Sequence, residues 1–326
     1  MATDDLEQTI KEADAKAASG DFLGAAFLYK DALRIARGLN DSEKITYCKQ
    51  KLVESNQKAT EQMQEHSVKQ VVPTEEIDQI INPILDKGDL ASVLKLIGVH
   101  PAFYPTFKNV KASAKKTMPA TFHFASLSTI SPEGHSVKGG ENPEHHWLMS
   151  MYGMNQGIIL QLYLLRLFQE LKEKKGLNKE SFIKYLKDTK IFPEDFLIIM
   201  EVGIERYFAG DYISALHIFI PQFESVFLSL SEKLGIDIVA LNQTAEISTR
   251  TKVLSDRHLS SESFVKVWGE DLCKQVEFIL FEPMGYKLRH RIAHGEIRAE
   301  ECNLANTTLM LYLFLVLSAR IERKEQ

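Results

Sequence analysis

The sequence predicts an all-α protein, and two observations support this class. The first is a long stripe of apolar residues at alternating intervals of three and four positions, which is typical of one buried helix face. Its members are Ile213, Leu216, Ile220, Phe223, Phe227, Leu230 and Leu234. The second is that strand-like alternation is weak throughout the 326 residues. We therefore expect residues 146–326 to form an all-α helical bundle.

Residues 1–62 are predicted to form an N-terminal helical hairpin. Two apolar stripes at helical spacing define its faces: Leu6, Ile10, Ala13 and Ala17, then Ala25, Tyr29, Ala32 and Ala36. Ser19-Gly20-Asp21 separates them, as expected for a helix stop followed by a cap. The segment resembles a single tetratricopeptide-type hairpin. Because a solenoid needs about three or more such units, we expect an appendage that docks a protein partner.

Residues 63–145 are predicted to be a partly irregular connection, because prolines and the Gly139-Gly140 pair recur between Pro101 and Pro143. A basic run lies inside it, made of Lys108, Lys111, Lys115 and Lys116. Phe103, Tyr104 and Phe107 stand beside these lysines. The group would contact RNA through phosphate binding and base stacking; the other interpretation is a solvated helix face.

A metal site is not predicted in this connection. Its histidines and the neighbouring glutamate, His135, Glu144, His145 and His146, lack a standard ligand spacing. A surface loop is the interpretation that we adopt for them.

Three further segments of the bundle are predicted to be helical. The shared buried faces are Ile158, Leu162, Leu165 and Phe168 in one helix, and Leu272, Val276 and Ile279 in another. Pro221 is expected to kink the helix that carries the long stripe. The segment from Leu309 to Leu317 is apolar on every side, which predicts the central buried helix.

Composition excludes several classes of protein. The net charge of −5 excludes a chain that holds nucleic acid by bulk charge, so an RNA contact must come from a local basic site. The three cysteines form no Cys-x-x-Cys pair. The acidic N-terminus lacks the apolar region of a secretory signal, and the longest apolar run is too short to span a membrane. We expect a cytoplasmic protein with no membrane partner.

The segment from Tyr286 to Gly295 carries the groups best suited to catalysis. It holds two histidines and three cations without an acidic residue: Lys287, Arg289, His290, Arg291 and His294. On a helix, His290 and His294 share a face, and Arg289 is long enough to curl back toward His294 if Gly295 ends the helix. Such a cluster attracts phosphate. Imidazole transfers protons near neutral pH, and guanidinium binds phosphate oxygens with paired donors.

The spacing of Arg289 and His294 resembles the Arg-x4-6-His motif of the HEPN superfamily. The full string Arg-His-Arg-Ile-Ala-His-Gly is similar to an uncharacterised HEPN-like branch that ends in Arg-Asn-x-x-Ala-His-Gly. The upstream segment from Gly210 to Glu224 resembles the preceding helix of that branch, and the resemblance covers about residues 200–322. One departure is His290, which stands where the branch usually has Asn or Asp.

This resemblance implies an antiparallel HEPN-like helical bundle that forms a homodimer, in which two motifs meet in one cleft. It also implies a metal-independent endoribonuclease that cleaves single-stranded RNA without a cofactor, leaves a 2′,3′-cyclic phosphate and serves as a toxin or in antiviral defence. Arg289 and His294 would then be the catalytic pair, with His290 assisting. Supporting roles would fall to Glu224, Arg291 and Lys287.

Two alternatives remain open at this point. One is a non-catalytic HEPN-type module that binds RNA or nucleotides, since some members of the superfamily have lost activity. The other is an α-helical scaffold whose N-terminal hairpin recruits a protein partner. Cleavage of RNA in EDTA separates the first alternative from an enzyme, and deletion of residues 1–62 tests the second.

Overall fold

The computed structural model describes residues 2–63, 72–120, 129–130, 134–137, 142–242 and 248–325. The chain divides into two compact units, residues 1–70 with 119–146 and residues 71–118 with 147–326. Both units are mainly helical, so the predicted all-α class is confirmed. The division differs from the predicted one, because the connection expected over residues 63–145 is shared between the two units.

Among the residues that the structure describes, the N-terminal part of the first unit forms α1 (Ala2–Ala18), α2 (Phe22–Leu39) and α3 (Ser42–Gln62). The predicted hairpin is α1 with α2, and α3 adds a third helix that packs against α2. Asp21 caps α2 by accepting a hydrogen bond from the N–H of Gly24 at 2.9 Å. Both predicted stripes are buried except at Ala17, which is half-buried. A short antiparallel pair, β1 (Thr129–Ile130) and β2 (Ser136–Val137), was not predicted.

One carboxylate ties the three helices of this unit together. The hydroxyls of Tyr29 on α2 and Tyr47 on α3 both donate to Oδ1 of Asp14 on α1, at 2.5 and 2.7 Å. Burial, followed by the hydrogen bond to Asp14, raises the pKa of Tyr47 to about 12. Both phenols therefore stay protonated and donate across the physiological pH range.

The second unit contains most of the helices. They are α4 (Thr74–Leu85), α5 (Leu90–Ile97), α6 (Phe107–Thr117), α7 (Pro143–Ile158, here from Trp147), α8 (Leu165–Lys175), α9 (Lys179–Asp188), α10 (Glu194–Phe208), α11 (Tyr212–Lys233), α12 (Asp256–Leu259), α13 (Glu262–Trp268), α14 (Glu270–Leu280), α15 (Leu288–Ala293) and α16 (Leu304–Glu325). A π-helix over Ile159–Leu164 joins α7 to α8. An antiparallel hairpin of β3 (Val239–Asn242) and β4 (Ser248–Thr251), which was not predicted, follows α11.

The core of the second unit is built around α16. Every side chain from Leu309 to Leu317 is at most 2% exposed, so the predicted central buried helix is confirmed. Helices α11 and α5 pack directly on α16. Helix α11 buries most of its predicted stripe, although Ile213 is 51% exposed. It continues through Pro221, which lies on its exposed side, where the missing N–H leaves a carbonyl that water can satisfy.

The predicted face of the α7–α8 segment is only partly correct, and the π-helix is the reason. Phe168 is buried as predicted, but Leu162 and Leu165 are half-buried and Ile158 is 44% exposed. The other residues that enter the core are Leu160, Leu164, Leu167 and Leu171. The N–H of Leu165 donates to the carbonyl of Leu160, five positions earlier. This wider turn rotates the following residues relative to an α-helical pattern, so a regular 3.6-residue period cannot describe both sides of it.

Two helices within the described residues are long and apolar enough to cross a membrane, judged by length and composition alone. They are α11 and the Leu304–Ile321 part of α16. In the second of these, 83% of the most apolar window is buried inside the protein. A central core helix has the same composition as a membrane span, because it is surrounded by apolar neighbours on every side.

Candidate functional site

Helix α15 carries the cluster that the sequence singled out. It begins after Lys287, which adopts a left-handed backbone conformation with φ of 52°, and it ends at His294. Gly295 follows with φ of 68°, a conformation that glycine adopts without strain. Leu288 is 1% exposed and anchors the helix in the core, with Ile292 partly buried beside it. The expected helix end at Gly295 is therefore present.

Arg289 is held by a carboxylate from α11. Its Nε donates to Oε2 of Glu224 at 3.0 Å, and Oε1 of Glu224 accepts the N–H of Leu254, also at 3.0 Å. The side chains of Arg289 and Glu224 are 27% and 17% exposed, so the pair is partly shielded from water. Glu224 thus fixes the direction of the guanidinium through Nε, and this bond does not use the two terminal nitrogens. The contact between Glu224 and Arg289 agrees with the supporting position expected for Glu224.

The two histidines of α15 lie side by side. The ring centroids of His290 and His294 are 4.3 Å apart, and His294 is exposed at the C-terminal end of the helix. Desolvation lowers the pKa of His290, and the charges of Lys287, His294 and Arg289 act in the same direction. Glu296 opposes them, with Oε1 at 3.8 Å from Nε2 of His290. His290 is therefore mainly neutral at pH 7 and can accept a proton.

The segment from Tyr286 to Gly295 contains no acidic residue, but the fold brings carboxylates from outside the segment to it. Glu296 lies next to both Lys287 and His290, with Oε2 at 3.9 Å from Nζ of Lys287. Arg291 turns away from the histidines and forms an ion pair with Glu301. Carboxylates that follow the motif in sequence therefore compensate much of its positive charge.

The guanidinium of Arg291 contacts protein groups that stabilise the loop after α15. Its ion pair with Glu301 closes the loop after α15, and Oε2 of Glu301 also accepts the N–H of Arg298 at 3.0 Å. A second hydrogen bond runs from Arg291 to the carbonyl of Glu296 at 3.4 Å. The sequence offered no local signal for Glu301, which is ten positions from its partner. The proximity of Glu296 to the motif could be inferred from the sequence, because Glu296 directly follows Gly295.

The lysines expected to contact RNA lie on α6. All four, Lys108, Lys111, Lys115 and Lys116, are exposed, and the described parts of the chain provide no ion-pair partner for them. Two of the three neighbouring aromatic rings cannot stack on RNA bases, because Phe103 is fully buried and Phe107 is 7% exposed. Phe107 faces Lys274 instead, with Nζ 5.5 Å from the ring centroid. The lysine surface is therefore open to phosphate but lacks these two aromatic platforms.

A metal centre is not formed by the residues that the structure describes, since no group of three or more His, Cys, Asp or Glu side chains is placed to hold an ion. No family model, no curated protein and no solved structure matches the chain. The likeness of the Arg289–His294 segment to the HEPN motif therefore stays a prediction from the sequence.

Proposed function

We propose that the chain is an endoribonuclease of the HEPN type that cleaves single-stranded RNA at the C-terminal end of α15. The hydrogen bond between Glu224 and Arg289 supports this most, because it holds the guanidinium in place while its two terminal nitrogens can meet phosphate oxygens. Two adjacent imidazoles lie on the same short helix. Together these groups are what cleavage by the RNA's own 2′-hydroxyl requires.

The proposed reaction moves two protons. The 2′-oxygen attacks phosphorus as an imidazole removes its proton, and the bond from phosphorus to the 5′-oxygen breaks as an imidazole protonates that oxygen. The products are a 2′,3′-cyclic phosphate and a 5′-hydroxyl. His290 is suited to accept the first proton because its pKa is lowered, and the exposed His294 supplies the second imidazole. Arg289 binds the non-bridging oxygens as charge develops on them.

This chemistry does not call for a metal, since RNA supplies its own nucleophile. Proton transfer by a positioned imidazole contributes about 10²–10⁴-fold in rate. A preorganised cationic donor on the phosphorane oxygens contributes a few kcal/mol more. We further propose that two copies pair with their α15 ends facing each other, because His294 and Glu296 are exposed there and a composite cleft would surround the substrate. A toxin or antiviral role belongs to the same proposal.

A cleavage assay with matched nucleic acids tests the reaction. The full chain is incubated in EDTA with end-labelled single-stranded RNA and with DNA of the same sequence. We expect cleavage of RNA only, with 2′,3′-cyclic ends, and a loss of about hundredfold or more in His294→Ala. Lys184→Gln, which changes an exposed lysine on α9, is the control and should cleave like the wild type. Equal cleavage by His294→Ala, or cleavage of the DNA, contradicts the proposal.

The lysines of α6 are the second place where RNA would bind in this proposal. Three of them, Lys108, Lys111 and Lys115, lie at helical spacing and are exposed. Changing all three to Gln should weaken RNA binding at low salt and reduce the salt dependence by about one phosphate contact for each lysine that is used. An unchanged salt slope would remove α6 from the RNA path while leaving the α15 site untouched.

A non-catalytic RNA-binding module is the second candidate, and one observation favours it. The motif's charge is compensated by Glu224, Glu296 and Glu301, which weakens the field available to stabilise a phosphorane. This candidate predicts that wild type and His294→Ala bind RNA equally and that neither cleaves it.

A further inference from the structure

A groove on α8 lies outside the α15 site and has a distinct charge. It has a volume of about 390 Å³, within the range of small-molecule sites. Arg166 and Lys172 of α8 line it, together with Tyr207 from the end of α10 and Thr308 from α16. Its lining includes two cations and no carboxylate, in a chain whose net charge is −5. The groove is therefore a local positive site on an acidic protein.

The ammonium group of Lys172 lies over two aromatic rings. Its Nζ is 4.8 Å from the ring centroid of Tyr207 and 5.2 Å from that of Phe208. Within the described chain it has no ion-pair partner, whereas Lys174 and Lys179 nearby in sequence both pair with glutamates. Burial lowers the pKa of Lys172, and no acidic neighbour offsets that effect. The site thus holds a cation whose charge is not neutralised by the protein.

Arg166 adds a second incompletely satisfied cation. One terminal nitrogen of its guanidinium pairs with Glu170 at 2.7 Å. Its Nε is buried and has no hydrogen-bond partner among the residues that the structure describes. Because Nε is shielded from solvent while the side chain as a whole is 41% exposed, a ligand in the groove would meet other atoms of the Arg166 side chain.

The wall of the groove contains the π-helix. Gln161, in the middle of that helix, lines the groove, and so does Gln169, about two turns further along. π-helical turns are rare and occur frequently at functional sites, because they re-aim side chains that an α-helix would place elsewhere. Leu165 and Leu304 supply an apolar part of the lining. A ligand here would meet amide donors, two cations and an apolar surface.

We propose that this α8 groove binds a small organic phosphate, with the phosphate group between Arg166 and Lys172. A phosphate monoester carries about −1.5 to −2 charges at pH 7 and therefore matches two cations, whereas a single carboxylate carries one. Lysine and arginine are both frequent phosphate ligands. The organic part would lie against Leu165 and Leu304.

Isothermal titration of the full chain tests this site with four probes: adenosine monophosphate, ribose 5-phosphate, inorganic phosphate and citrate. The background is Arg289→Gln, because the proposed ribonuclease site is also expected to bind phosphate. We expect saturable binding of the organic phosphates below about 10 mM, and weaker binding of inorganic phosphate and of citrate, whose charge is divided among three carboxylates. Arg289→Gln is expected to abolish RNA cleavage without changing the α8 groove. Phosphate binding and RNA cleavage are therefore tested separately, and each proposal can fail on its own.

Variants of the groove locate the binding. Lys172→Gln should weaken it by about tenfold or more. Gln161→Glu should also weaken it, because it places a carboxylate at an exposed position in the lining without disturbing the core. Lys184→Gln is the matched control and should bind like the parent. Circular dichroism checks that each variant is folded.

Three results would overturn the proposal. One is no heat of binding with either organic phosphate up to about 10 mM. Another is equal binding in Lys172→Gln and Lys184→Gln, which would place the ligand elsewhere. The third is binding of citrate in preference to phosphate, which would assign the groove to carboxylates. If Lys172→Gln is unfolded, the result with Gln161→Glu decides.

Discussion

Replacing Glu224 is the most direct test of the α15 site, because this side chain holds two partners at once. One oxygen accepts from the backbone of Leu254 and the other from Arg289, both at 3.0 Å. Glu224→Ala removes both bonds. Glu224→Gln keeps an acceptor for Leu254 but removes the charge that pairs with Arg289. The two variants therefore separate loss of structure from loss of orientation.

The expected magnitude follows from the partial burial of the pair. A hydrogen bond to a charged group is worth about 1.5–3 kcal/mol, and exposure of 17% and 27% places these bonds at the lower end. We expect Glu224→Ala to lower the free energy of unfolding by about 2–4 kcal/mol. For a unit of this size, that lowers Tm by about 4–15 °C. Glu224→Gln should lower the free energy of unfolding by about 1 kcal/mol.

Urea unfolding of Glu224→Gln, Arg289→Gln and the double variant measures the coupling between the two side chains. We expect a coupling energy of at least about 0.5 kcal/mol and a loss of about tenfold in RNA cleavage or binding for Glu224→Gln, equal to about 1.4 kcal/mol. Glu232→Gln changes an exposed glutamate on the same helix and serves as the control. A coupling energy within about 0.3 kcal/mol of zero would refute the idea that Glu224 orients Arg289.

Three further predictions concern protonation and packing. The lowered pKa of His290 means that the folded state binds fewer protons than the unfolded state below about pH 6.5, so acidification should lower stability less in His290→Gln than in the wild type. Trp268 is 1% exposed, so Trp268→Ala should lower the free energy of unfolding, measured in urea, by about 3–5 kcal/mol. Gly98→Ala should destabilise by more than about 1 kcal/mol, because the added Cβ meets the carbonyl of Leu315. Gly157→Ala, with no atom within 4 Å, should instead stabilise by about 0.5–1 kcal/mol.

Each of these has a contradicting result. An NMR titration that places the pKa of His290 at about 6.5 would remove the pH effect, and a higher pKa would reverse its sign. A Trp268→Ala variant within about 1 kcal/mol of the wild type would mean that its site collapses around the cavity. Equal effects of the two glycine substitutions would mean that Leu315 yields to the new methyl group.

The helices that could be predicted are those whose pattern reports burial directly. The run from Leu309 to Leu317 is apolar on every side, and only a position surrounded by other elements accommodates that composition. The buried face of α11 could be predicted for the same reason, since the intervals of its apolar stripe follow the helical period. Ile213 departs from it because it lies at the edge of the stripe, in line with the exposed residues His217 and Pro221.

The α7–α8 face could be predicted only in part, because its period changes within the segment. A π-helical turn takes an extra residue, and nothing in the letters from Ile159 to Leu164 distinguishes them from an α-helix. The two strand pairs were missed for a related reason, since short exposed strands such as β4 have no buried face to produce alternation.

The candidate site divides in the same way between local and distant information. The position of His290 beside His294, and the helix end at Gly295, follow from spacing alone. The ion pairs join residues that are distant in the sequence and meet only in the folded chain, so no periodic pattern predicts them. Glu224 was within reach only through the resemblance of its helix, whereas Glu301 was not.

The contact of Gly98 with Leu315 and Ala319 has a practical consequence for anyone who shortens this chain. A truncated chain that starts at Trp147 keeps the α15 motif but lacks α5, which packs against α16. The leucines of α16 that α5 covers would become exposed and favour aggregation over refolding, so such a fragment is expected in inclusion bodies.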